Sequence, residues 1–274
     1  MKLRISEQNV EFFSGGVSAG RYNLNDPFKP FLHPLHTPAG RMVSAASPHD
    51  HRHHKGLMYA LQTVQFNFWE EVPASSAERI GRQRPLGFEN VDSAGDEIGF
   101  TQQLAWESAD GTAPVFHEDR TIRCRHEGDE FVWTWSARLT VSHACRLIKG
   151  RGSCALPDGR RISYNGLGLR LARSFGCTGN NALLLDGRKV SFREGMGQVP
   201  RRATFQGTFD PLWPEWPGPR AAITFEQEQN NGLFVMESPF AYMAMGPSNL
   251  EEVELLAGQI LAPTYRIRVA DIVA

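Results

Sequence analysis

Apolar and polar residues alternate with a period of two along much of the chain, and helical periodicity is scarce. In Phe131-Val132-Trp133-Thr134-Trp135-Ser136-Ala137-Arg138-Leu139-Thr140-Val141 the odd positions put Phe, Trp, Trp, Ala, Leu and Val on one face. The even positions carry mostly Thr, Ser and Arg, the pattern of a strand with one face buried. Thr121-Ile122-Arg123-Cys124-Arg125 reads as its hairpin partner, joined through Glu127-Gly128-Asp129. Tyr265 to Val269 alternates as cleanly, and Leu167-Gly168-Leu169-Arg170-Leu171 sends three leucines inward and Arg170 to the opposite face. Turn signals recur at Ala109-Asp110-Gly111, Pro157-Asp158-Gly159, Asp186-Gly187 and Pro217-Gly218-Pro219. The best helical candidate, Ala74 to Ile80, is too short to shape the fold. These elements predict an all-β chain, a large antiparallel β-sandwich, and residues 1–274 read as a single domain.

Composition narrows the function classes. A chain of 274 residues buries enough apolar surface to need neither disulfide nor metal for its core. Its formal net charge of −1 and lack of a basic stripe argue against nucleic acid as a partner. Cys124, Cys145, Cys154 and Cys177 form no Cys-x-x-Cys pair and read as free thiols of a reducing compartment. Neither a signal peptide nor a membrane span is visible, so the expected location is the cytoplasm, with no membrane partner. The sequence leaves the oligomeric state open. Trp213 and Trp216, in a Pro/Trp-rich stretch, read as braces of an irregular loop or as platforms for a sugar, whereas Trp133 and Trp135 read as buried.

Candidate chemistry concentrates in Pro48-His49-Asp50-His51-Arg52-His53-His54-Lys55-Gly56. Read as extended, this segment points His49, His51 and His53 one way and Asp50, Arg52 and His54 the other. Two chemistries want these residue types. Histidines titrating near neutrality serve as a metal-free acid/base pair, His51 and His53, with Asp50 fixing a tautomer and Arg170 stabilising negative charge. No cofactor is then required. Alternatively His49, His51 and His53 are ligands to a divalent metal, with His117 or Glu118 completing the set. A hydrogen-bonded structural loop is the plainer alternative. Glu118 and Arg120, two apart on one strand, are expected to face a single cleft as base and anchor. His33, His54 and Trp69 are expected to bind substrate, whereas His36, His126 and His143 are bystanders.

Pro34-Leu35-His36-Thr37-Pro38-Ala39-Gly40 followed by Asp50-His51-Arg52-His53-His54-Lys55-Gly56-Leu57 resembles the "PmoA-like" family of bacterial proteins, which typically carry Asp-His-Pro-His-His-Arg-Gly-Leu. The resemblance extends through Asn67-Phe68-Trp69, Glu118-Asp119-Arg120, Gly166 to Arg170, and Ala257-Gly258 to Ile267. Arg52 departs from the usual proline and Lys55 from the usual arginine, which loses bidentate geometry. The family label points to methane oxygenation, yet the membrane subunit of that enzyme has spanning helices and this chain has none. A looser resemblance, to the aldose-1-epimerase (galactose mutarotase-like) superfamily, implies a supersandwich that binds a sugar on a concave sheet. Together these imply a carbohydrate-active epimerase, lyase or hydrolase. The rival readings are a metal-dependent enzyme, an oxygenase or lyase, and a non-catalytic sugar-binding module.

Overall fold

The alternating residues 131–141 become the strand Glu130–Val141, whose inward side chains Phe131, Trp133, Trp135, Ala137, Leu139 and Val141 are all buried. Each buried tryptophan removes about 200 Å² of surface from water, a gross hydrophobic gain of roughly 5 kcal/mol. Pro114–Glu127 pairs with this strand as the antiparallel hairpin partner the sequence suggested. Thr264–Ile272 pairs along its other edge. The computed structural model describes residues 1–150, 152–176, 181–209 and 218–272; Cys177, Trp213 and Trp216 lie outside them.

Ten strands form one sheet. Its path runs Arg188–Val190, Ala182–Leu185, Arg202–Thr208, Arg220–Gln227, Thr264–Ile272, Glu130–Val141, Pro114–Glu127, Glu97–Ser108 and Gly81–Asp92. Ile260–Leu261 pairs with Glu130–Val141 off that path. The second sheet has eight strands: Lys2–Ile5, Asn9–Ser14, Val17–Asn23, Phe31–Leu35, Leu57–Ala60, Gly166–Arg170, Tyr242–Gly246 and Gly232–Met236. The pairings along both sheets are antiparallel, and one apolar core drawn from both fills the space between them. The chain is therefore a large antiparallel β-sandwich. The α-helix Phe192–Gly195 is one turn long, and residues 74–80 form turns rather than a helix. Among the described residues no helix is long and apolar enough to cross a membrane.

The outer face of the eight-stranded sheet carries the candidate site. Leu57, Tyr59, Leu167, Leu169, Met243 and Met245 point into the main core. Their neighbours Met58, Ala60, Tyr242, Ala244 and Phe234 point outward and gather a second apolar cluster with Trp69. Registers align Met58, Gly168, Ala244 and Phe234 in one row across four strands. Gly168 must be small, because a Cβ there would lie 1.9 Å from the Tyr242 hydroxyl and 3.1 Å from the Trp69 ring. Small residues in this row thus form a floor on which bulkier aromatic side chains lie.

Candidate functional site

The histidine segment is a tight loop between Phe31–Leu35 and Leu57–Ala60, which corrects the extended reading. Ser47 has φ 49°, and two successive turns follow: His51 N–H donates to the Pro48 carbonyl at 3.0 Å and His54 N–H to that of His51 at 3.0 Å. A bridge between Ala46 and Lys55 closes the loop. Gly56 takes φ 68° where a Cβ would come within 2.5 Å of the Leu32 carbonyl, so the chain re-enters the sheet only with glycine there. Turns break the period-two alternation, so His54, which the extended reading placed opposite His51 and His53, packs its ring against both of them. His49 is exposed, whereas His54 is buried.

Lys55 anchors the loop from below. Its ammonium sits 2.9 Å from the Asp26 carboxylate and 3.2 Å from that of Glu71, and it donates to Ser47 Oγ at 3.0 Å. Lys29, fully buried beside it, donates to the Trp69 carbonyl at 2.7 Å and pairs with Glu71 at 3.4 Å. Burial pushes the Lys29 ammonium below its ordinary range. The single lysine that replaces the expected arginine thus makes three separated contacts, a task suited to a point charge rather than a planar fork.

Above that anchor the imidazoles form a stack. The His51 and His54 rings lie 4.8 Å apart at 25°, and His54 in turn lies 5.2 Å from the Tyr242 ring at 28°. Phe240 packs edge-on against both histidines, at 4.7 Å and 5.4 Å. The Nδ1 atoms of the two histidines meet opposite chemistry. His51 Nδ1 lies 2.9 Å from Asp50 Oδ2, an acceptor, so this nitrogen carries the proton and Nε2 presents a lone pair. His54 Nδ1 lies 3.0 Å from Arg170 Nη1, which only donates, so the proton sits on Nε2. Burial pushes His54 far below the ordinary histidine range, and the neighbouring His53 and Arg170 push it further; it is neutral at any physiological pH.

Asp50 joins the two halves. Its Oδ2 also lies 3.5 Å from Arg170 Nη2, and the His51 hydrogen bond brings the carboxyl down to about 2, so it is ionised at neutrality. The Arg170 guanidinium is centred 3.7 Å from the Phe240 ring, which holds its plane. His53 belongs to the same cluster, its ring 4.6 Å from that of His54 and 5.7 Å from that of His51, and its Nδ1 lies 3.2 Å from Glu70 Oε2. The site therefore offers a hydrogen-bond acceptor on His51 and a fixed donor on His54, side by side at the rim of an apolar floor. His51 and Asp50 keep side-chain exposures of 36% and 38%, enough for a ligand to reach them.

Other sequence expectations fall differently. Glu118 and Arg120 do not face a cleft, and this corrects their assignment as base and anchor. Phe116, Glu118, Arg120 and Ile122 share the inward face of Pro114–Glu127, between the sheets, where Glu118 and Arg120 have no exposed side-chain surface. Arg120 grips both Glu118 oxygens at 2.8 and 2.7 Å, and Trp106 Nε1 donates to Glu118 at 2.6 Å. Tyr22 accepts from Arg120 Nη1 at 3.1 Å, and Gln83 Oε1 accepts from Nη2 at 2.8 Å. His117 is exposed on the outer side of that sheet and cannot complete a ligand set with the histidine loop. His33 lies on the histidine face of its own strand, where Ser44 Oγ holds its Nδ1 at 2.8 Å. Burial lowers its pKa to about 4, with Arg21 and His36 adding to the effect. Trp69 is fully buried beneath Tyr164 and His54 and forms floor rather than an exposed platform. Among the described residues no group of three His, Cys, Asp or Glu side chains is placed to hold a metal ion. His126 and His143 are exposed, and Cys124, Cys145 and Cys154 are free thiols.

Sequence reasoning missed Phe240, Tyr242, Glu70, Glu71 and Lys29. Tyr242 lies in a strand of small and apolar residues whose outward face carries no signal until its neighbours are known. The adjacent Glu70-Glu71 pair was visible, and two carboxylates directly after a Trp that follows the histidine motif are the one cue available.

No curated protein matches the chain. Among solved structures, the alpha-galactosidase from Lactobacillus brevis is similar with a TM-score of 0.38 and 9% identity, covering 99% of this chain and 39% of that one. This chain thus spans well under half the length of that protein. A family model matches residues 9–273, and the chain accordingly belongs to the family of unknown function DUF6807.

Proposed function

We propose that the histidine loop is the metal-free acid/base centre of a carbohydrate-active enzyme, an epimerase, lyase or hydrolase of a sugar or sugar derivative. One observation carries the reading: two stacked imidazoles are held in complementary tautomers by Asp50 on one and Arg170 on the other. His51 acts as the base, with Asp50 orienting it and stabilising the imidazolium that forms. His54 donates from Nε2 to a substrate oxygen and stays neutral while doing so, as suits a group that stabilises developing negative charge. Arg170 is a positioning residue that enforces the His54 tautomer. In this reading His54 rather than His53 partners His51, and Glu118, sealed between the sheets, takes no part in the chemistry.

Proton removal next to an oxygen bound by a fixed donor is common to epimerisation and elimination, and the same pair activates water for hydrolysis. The looser resemblance to mutarotase-like proteins, which includes the Asp50-His51 segment, supports a sugar as the substrate class. The test is a panel of aldoses, ketoses, uronates and simple glycosides incubated in deuterated buffer and followed by proton NMR. The wild type is expected to catalyse C–H exchange, elimination or hydrolysis on at least one member. His51→Ala is expected to lose that activity by about 10²- to 10⁴-fold. Equal rates for the two proteins on every active substrate, or inactivity of the wild type across the whole panel, overturns the reading.

A further inference from the structure

A cavity of about 450 Å³ opens on the same side of the eight-stranded sheet, beside its edge strand Gly232–Met236. Its walls are mostly apolar: Leu156 from one loop, Phe192 and Met196 from the short helix and its end, and Met236 from the strand, with Arg193 and Glu237 as its charged groups. The walls are tied down. Met196 Sδ accepts the Val235 N–H at 3.4 Å, and Glu237 Oε2 accepts from Asn181 Nδ2 at 3.1 Å.

This cavity adjoins the apolar cluster that underlies the histidines. Leu156, Met196, Met236 and Phe240 all pack against the cluster that contains Trp69 and Tyr242. Met236 is the register partner of Tyr242, and Tyr242 stacks on His54 at 5.2 Å. With cross-strand neighbours about 5 Å apart, the cavity begins roughly 10 Å from the histidine stack. That separation is within the span of a sugar at His51 that carries a second chemical group.

The lining decides what that second group is. A further sugar ring brings hydroxyls that each need a partner, and leaving them unpaired against Leu156, Phe192, Met196 and Met236 costs binding energy. An apolar ring gains from burial there, and thioethers adapt to its shape. A cavity of about 150 Å³ already holds benzene, so this volume accommodates a fused aromatic system. We propose that the cavity between the short helix and the edge strand is a subsite for an apolar aglycone, an aryl group attached to the sugar that reacts at His51. The inference rests on the carbohydrate reading of the histidine loop for the identity of the rest of the ligand.

Cys154 is exposed and lines the cavity, which gives a readout independent of turnover. The rate of Cys154 alkylation by iodoacetamide is measured by peptide mass spectrometry with and without 1 mM 2-naphthyl or methyl glucosides and galactosides. 2-Naphthol alone completes the set. At least one naphthyl glycoside is expected to slow alkylation threefold or more while its methyl counterpart does not. Met236→Glu, which places a charge in the lining, and Ala155→Trp, which fills the cavity from an exposed position, are expected to abolish protection. Ala155→Trp keeps the test decisive if Met236→Glu fails to fold. Unchanged alkylation with every naphthyl compound, or protection that survives Ala155→Trp, overturns the subsite. Protection by 2-naphthol as strong as that by any naphthyl glycoside supports the apolar subsite and instead counts against a sugar at the histidines.

Discussion

Two carboxylate–guanidinium pairs, one on each sheet, show how burial separates a structural group from a reactive one. Glu118 and Arg120 meet between the sheets with no exposed side-chain surface and two contacts under 3 Å. Every remaining guanidinium donor there has a protein acceptor, so the pair has nothing left to offer a ligand. Asp50 and Arg170 meet at 3.5 Å at the outer rim, with Asp50 more than a third exposed, and each spends its better contact on a histidine. The same two functional groups therefore lock a core in one place and set proton positions in the other. Saturation of donors and acceptors, rather than the presence of charge, makes the difference.

The sharpest way to break this contrast is to remove one cation from each pair. Arg120→Met leaves Glu118 ionised or forced to protonate in a closed interior, and unfolding in urea is expected to show a loss of about 3–5 kcal/mol. Replacing both partners, Glu118→Leu with Arg120→Met, should restore a large part of that loss, because the unpaired charge disappears. A loss below about 1 kcal/mol for Arg120→Met would mean that water reaches the pair and that the core is not closed there.

Arg170→Met is expected to cost less stability, about 1–2 kcal/mol, since the exposed Asp50 carboxylate is resolvated and a hydrogen bond to a buried imidazole is lost. Its signature lies in the tautomer. The nitrogen shifts of His54 in the wild type should show a proton on Nε2 alone, and in Arg170→Met a mixture of both neutral forms. Arg170→Lys should not rescue the pattern fully, because a single ammonium cannot reach His54 and Asp50 with the geometry of a fork. An unchanged His54 spectrum in Arg170→Met would remove Arg170 from the site.

Acid provides a third comparison. His54 and His33 both have folded pKa values below the unfolded value of about 6.5, the second at about 4. The unfolded chain therefore binds protons that the folded chain refuses as pH falls below about 6.5. Stability is fully present above that pH and declines below it, with a limiting slope of about 1.4 kcal/mol per pH unit for each histidine. Folded His33 takes up its own proton near pH 4, where its share of the slope ends. His54→Asn should flatten the decline, while Glu118→Leu paired with Arg120→Met should leave it in place. Thermal melts from pH 4 to 7.5 check the difference.

The fold was largely legible because period-two alternation reports directly on which face a strand buries. Residues 131–141 and 167–171 therefore read correctly. The site was legible in composition and not in geometry. Density of histidine marked the loop, but alternation holds only for extended backbone, and the turns at Pro48 to His51 and His51 to His54 scrambled its faces. Glu118 and Arg120 look in sequence like any exposed alternating pair. Only the six or so side chains around them, from strands distant in sequence, show that their face is the inner one. Phe240 and Tyr242 were silent for the same reason, since nothing local distinguishes a tyrosine under a histidine from one in a core.

The smallest expected effect is on stability in Asp50→Asn, and it isolates what the exposed carboxylate does. Because Asp50 is at the surface, its loss should change unfolding free energy by about 1 kcal/mol or less at neutral pH. Its removal nevertheless changes the proton pattern of the stack. An asparagine amide can donate to His51 Nδ1 as readily as its oxygen accepts, so His51 is no longer held with its lone pair on Nε2. The His51 nitrogen shifts should move from a proton fixed on Nδ1 to a mixture, while His54, still held by Arg170, stays as it was. A pattern in which both histidines change together would show that the stack is one coupled unit. A pattern in which neither changes would show that Asp50 sets nothing, and the contrast between the open pair and the sealed one would then reduce to a difference in exposure alone.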